Sequence, residues 1–92
     1  MMERRSKIRI LRDILKTIQR NNGRAKPTHI LYGANLSHDR LKGYLEKLMN
    51  DGFIQKVSED EHTYFVITAK GMDFLSKFKK IQQFYEAFAI EM

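Results

Sequence analysis

Between Ser37 and Asn50 the chain carries Arg40, Lys42 and Lys47 at spacings that bring all three to the outer surface of one helix. Leu41, Leu45 and Leu48 recur at helical intervals, with Tyr44 on the same face, so the segment is amphipathic. Successive helical residues turn by about 100°, which leaves Asp39, Arg40, Lys42, Gly43, Glu46, Lys47 and Asn50 pointing away from the apolar side. Guanidinium and ammonium groups arrayed this way can pair with phosphate oxygens or with the acceptor edges of bases. An outer face that is merely solvated by its charges is the bland alternative. Arg40, Gly43 and Lys47 share one flank. Glycine inside a helix costs about 1 kcal/mol relative to alanine, so Gly43 points to the close approach of a phosphate or of another helix.

Other reactive side chains do not assemble. His29, His38 and His62 fall in three separate segments with no Cys or carboxylate at ligand spacing, which argues against a metal site. Ser37-His38-Asp39 contains the residue types of a hydrolase triad, but neighbours on a helix diverge by about 100° and cannot relay a proton. His38 is instead a phosphate or base-edge contact, or a plain surface residue. Gly23, Gly33, Gly43, Gly52 and Gly71 are isolated, so no glycine loop cradles a phosphate. No catalytic residue, cofactor or small-molecule ligand is indicated.

The charge distribution favours the polyanion reading. The net charge is +6, and residues 1–36 alone hold nine Lys or Arg against Glu3 and Asp13. A positive field concentrated on one third of a small chain suits a nucleic acid, whose counterions are released on binding; a solubilising charge is the alternative. The 92 residues fit one small domain plus an appended element. Cysteine is absent, which removes disulfides and thiolate ligands and suits a cytoplasmic setting. No apolar run approaches the roughly 20 residues that span a bilayer. These features together lead to the expectation of a soluble, nucleoid-associated protein.

The elements that position the outer face follow in chain order. After a basic tail, Ser6 caps a first helix over about 7–21, with Ile8, Leu11, Ile14, Leu15 and Ile18 on one face and Ile10 toward its edge. Asn22-Gly23 stops it. Pro27 opens a short second helix over 28–32 that Gly33 ends. Leu36 then plugs inward before Ser37 caps the helix that runs to Asn50, and Gly52 supplies its left-handed stop. Phe53 to Val57 and Thr63 to Ile67 read as two strands of a hairpin, or wing, around the polar turn Ser58-Glu59-Asp60-Glu61-His62. Three consecutive acids at the tip disfavour phosphate there, while Lys56 and Tyr64 on the arms remain contact candidates. The fold class is mainly α with a small β-hairpin, a winged helix-turn-helix over 1–68 with a long C-terminal helix over 69–92.

That last helix, capped by Thr68 with Asp73 beside its N-terminal dipole, carries Phe74, Phe78, Ile81, Tyr85, Phe88 and Met92 at alternating spacings of four and three. This 3.5-residue average makes a supercoil seam. Aromatics left exposed along it would form a large apolar patch, so a partner helix is implied, and with it a homodimer; a helix folded back on its own domain is the bland alternative. An antiparallel pair sets Lys77 beside the partner's Glu91, which biases orientation by about 0–1 kcal/mol. A coil of about 24 residues is about 36 Å long, close to one turn of DNA.

The run Asn35-Leu36-Ser37-His38-Asp39-Arg40-Leu41 with Tyr44-Leu45 and Gly52-Phe53-Ile54, followed by Tyr64-Phe65-Val66-Ile67-Thr68-Ala69-Lys70-Gly71 and Phe74-Leu75, resembles archaeal winged helix-turn-helix proteins. These are small basic DNA-binding proteins whose long C-terminal helix forms an antiparallel coiled-coil dimer. The resemblance implies binding of double-stranded DNA as a regulator or chromatin-associated protein. It places Ser37, His38, Arg40, Lys42 and Lys47 on the recognition helix and Thr28 and His29 on the helix before it. Electrostatic docking would come from Arg4, Arg5, Lys7, Lys26 and Lys42, with Arg40, Lys47 and His38 toward base edges. The acidic wing tip departs from the family's basic wing. A protein-interaction adaptor using the aromatic helix, or an RNA-binding module, are the rival readings.

Overall fold

A computed structural model describes residues 5–88; Arg4, Glu91 and Met92 lie outside it. The element order is α1 (Lys7–Arg20), β1 (Arg24–Ala25), α2 (Pro27–Gly33), α3 (His38–Asn50), β2 (Ile54–Glu59), β3 (His62–Ile67) and α4 (Ala69–Ala87). Three N-terminal caps are as expected: Ser6, Ser37 and Thr68 accept from the backbone N–H of Arg9, Arg40 and Gly71, which satisfies donors that a first turn leaves unpaired. Asp73 lies beyond the first turn of α4, where it pairs with Lys77 at 2.9 Å rather than facing the helix end.

Helices α1, α2 and α3 end in one way. The residue after each C-cap is left-handed, Asn22 (φ 62°), Asn35 (φ 55°) and Gly52 (φ 80°). The next residue's N–H reaches back five positions: Gly23 to Ile18, Leu36 to Leu31 and Phe53 to Leu48, at 2.9–3.1 Å. Gly33 therefore does not terminate α2, as the sequence reading had it. It belongs to the helix, and a Cβ there would fall onto the Thr17 side chain, so the glycine lets α1 and α2 approach closely.

The wing is one strand larger than the expected hairpin. Strand order is β1-β3-β2, all antiparallel, with Arg24 opposite Val66 and Ala25 opposite Phe65. Two residues are too short to announce a strand by alternation, which is why β1 was not expected. β2 and β3 extend to Glu59 and His62 and close through Asp60 and Glu61 (φ 51° and 64°), a two-residue turn of the primed kind that matches strand twist.

The core joins Ile10, Ile14, Leu15 and Ile18 of α1 to Ile30, Leu36, Leu41, Leu45, Leu48, Ile54 and Phe65. Ile10 is fully buried and Ile8 is exposed, so the inward face of α1 is turned from the one read from periodicity. Ile14, Leu15 and Ile18 of the expected stripe are buried as read, and only its N-terminal end is displaced, from Ile8 to Ile10.

α4 divides along its length. Phe74 stacks edge-on with Phe53 at 5.5 Å and lies 6.0 Å from Phe78, which is 3% exposed and covered by the Arg12 guanidinium. Phe78 thus packs against its own domain and is not free for a partner helix, because α4 lies along α1 at this point. Past it, Ile81, Phe84 and Phe88 are exposed at 47%, 58% and 64%, while Tyr85 is half-buried. Phe84, absent from the expected seam, stands at the centre of this stripe, 4.8 Å from Phe88.

Candidate nucleic-acid interface

The turn Ala34–Leu36 sets α3 against the core through Leu41, Leu45 and Leu48, which turns the opposite face outward. His38, Asp39, Arg40, Lys42, Gly43, Glu46, Lys47 and Asn50 are all exposed. Among the described residues, nothing beyond its chain neighbours and the helix's own backbone lies within 4 Å of where a Gly43 side chain would start, so the middle of this face is bare backbone. Lys47 makes an exposed pair with Asp51 at 3.3 Å. Among the described residues, Asp39, Arg40, Lys42 and Glu46 enter no ion pair. Four charged groups are thus presented to the outside without internal use.

The expected cations elsewhere are not equivalent. Arg5 is turned inward: its guanidinium donates to Asp13 at 2.8 Å and to the Asn35 carbonyl at 3.0 Å. It staples α1 to the turn before α3. A charge held at two points and largely covered has little left to give a phosphate. Lys7 and Lys56 are exposed, and Thr28 and His29 stand exposed on α2. His29 also lines a shallow recess of about 330 Å³ with Arg20, Asn21 and Tyr32. Lys26 precedes α2 and its ammonium lies 5.9 Å from the Tyr64 ring. Arg24 lies over the same ring at 4.0 Å and reaches Glu59 at 3.5 Å. Arg24 was not singled out from sequence; its partner is Tyr64, which only the β1–β3 pairing brings beside it.

α3 is fastened at its far end. Lys70 of α4 donates to the Asp51 carbonyl at 2.6 Å and lies over the Phe53 ring, and the Thr68 hydroxyl donates to the Gly52 carbonyl at 2.6 Å. A Cβ on Gly71 would collide with the Phe53 carbonyl, so the Thr-x-Lys-Gly sequence works as a clamp between the last helix and the end of α3. The three histidines stand in α2, α3 and β3, and among the described residues no group of His, Asp and Glu converges for a metal. No helix among them is long and apolar enough to cross a membrane.

A family model described as winged helix-turn-helix matches residues 4–86. The chain belongs to that family. Solved structures agree on the fold. A DNA-binding protein of Sulfolobus solfataricus, Sso10a-2, superposes with a TM-score of 0.81 at 22% identity over 92% of this chain and 86% of that one. F93 from STIV, described as a winged-helix DNA-binding protein, gives 0.74 at 16% identity over 87% and 92%. MepR, a transcription regulator of a Staphylococcus aureus multidrug efflux pump, gives 0.77 at 12% identity over 87% of this winged helix chain and 61% of its own. A comparison with curated protein sequences finds no match.

Proposed function

We propose that the chain binds double-stranded DNA as a transcriptional regulator or chromatin-associated protein, with α3 in the major groove. The observation that carries this reading is the outer face of α3, exposed over its whole length and holding Arg40 and Lys42 outside any ion pair among the described residues. A helix of 13 residues is about 20 Å long, and a major groove about 12 Å wide admits it. Lys42, Lys26 and Lys7 serve phosphates and Arg40 and Lys47 reach base edges. Supporting this reading, Sso10a-2 and F93 are described as DNA-binding proteins.

The exposed stripe Ile81, Phe84 and Phe88 supports dimerisation of residues 69–92, in the antiparallel manner of the archaeal proteins that the sequence resembles. Titration of a promoter duplex and a random duplex at two salt concentrations tests the DNA reading: affinity falls steeply with salt, and Arg40→Ala and Lys42→Ala both weaken it. Binding that ignores salt and both substitutions overturns it. Sedimentation tests the pairing: a dimer that Phe84→Glu converts to single chains supports it, and single chains of the unsubstituted protein overturn it.

A further inference from the structure

The outer face of α3 carries two acid–base couples, Asp39-Arg40 and Glu46-Lys47, seven residues apart. At about 100° per residue, the two cations fall on one side of the outermost line and the two carboxylates on the other, with Gly43 on that line midway between the couples. Seven residues advance a helix by about 10.5 Å, which is about three base-pair steps of about 3.4 Å. Asp39 and Lys42, and Lys42 and Glu46, stand at spacings that permit pairing on a helix, yet among the described residues neither pair forms. The one ion pair of the face, Lys47 with Asp51, is exposed and easily exchanged.

In the major groove a G·C pair presents the guanine O6 and N7 acceptors beside the cytosine N4 donor, so a cation and a carboxylate side by side match one such pair across both strands. An A·T pair offers an amino group and acceptors in another order, with a methyl group on the thymine side. Bare backbone at Gly43 lets the helix sit deep enough for short Asp39 to reach. Resting on the major-groove reading above, we infer that α3 reads two G·C pairs three steps apart, both guanines on one strand, with Asp39 and Glu46 as specificity residues that accept from cytosine.

Selection of bound duplexes from a randomised pool tests this. The expected result is enrichment of that pattern, each G·C pair preferred over A·T by about fivefold or more. Asp39→Asn and Glu46→Gln each lose the preference at one of the two positions while binding random duplex more tightly, because a negative charge near phosphate is gone. Both side chains are exposed, so unchanged thermal melting shows that the variants are folded. Salt-dependent binding without the pattern, or variants that keep it, overturns the inference and leaves DNA binding standing. A pool that is not retained at all overturns both.

Discussion

α1 and α3 are both amphipathic helices that carry cations outside the core, and the fold uses them differently. On α1, Asp13 accepts from Arg5 at 2.8 Å and from Arg12 at 2.6 Å, and Arg12 also covers Phe78. These cations tie α1 to the turn before α3 and to α4. On α3, Arg40 and Lys42 face outward without an ion pair among the described residues. Formal charge is therefore a poor count of groups available to a polyanion, since guanidiniums that share a carboxylate have part of their field cancelled at source and their donors already engaged. The basic N-terminal third is in part internal bracing, while its Lys7 and Arg20, like Arg40 and Lys42 on α3, are exposed and enter no ion pair among the described residues.

Four substitutions sharpen or break this comparison. The largest effect belongs to Asp13→Ala, which removes the carboxylate that the largely covered Arg5 and Arg12 guanidiniums share. A loss of about 1–3 kcal/mol of stability is expected in urea denaturation, with little change in DNA affinity of the folded protein. Arg40→Ala is the mirror case: about tenfold weaker DNA binding, or about 1.4 kcal/mol, with an unchanged denaturation midpoint. If Arg40→Ala shifts the midpoint or Asp13→Ala selectively weakens binding, the two helices do not differ as described. The smallest effect is Gly43→Ala, which meets open space on an exposed helix and should raise stability by up to about 1 kcal/mol. The same change at Gly33 should lower stability, because its Cβ meets Thr17. The denaturation midpoints of the two variants move in opposite directions.

Much of the architecture was legible because it is written locally. Ser6, Ser37 and Thr68 cap their helices by hydrogen bonds to amides three residues on, and Gly52 turns left-handed where α3 stops. The outward set on α3 followed from Leu41, Leu45 and Leu48, whose period leaves little choice of face. Misreadings arose where a partner distant in sequence decides. Ile8 and Ile10 are chemically alike, and only packing against other elements buries the second. Gly33 looked like a stop because nothing nearby in sequence reveals Thr17, and β1 exists only as the partner of β3, some 40 residues on.

The amino-acid order by itself determined the helices, their caps, the hairpin and the cationic outer face of α3, since each depends on neighbours within a turn or two of the chain. Tertiary structure alone decided which charges and rings remain outside. Arg5 and Phe78 are occupied because α1 lies against the α2–α3 turn and α4 lies along α1, whereas Arg40, Phe84 and Phe88 remain exposed because no element among the described residues crosses over them. Periodicity tells which residues share a face. Which face is already covered depends on how the elements pack, and side chains of one type look alike until they do.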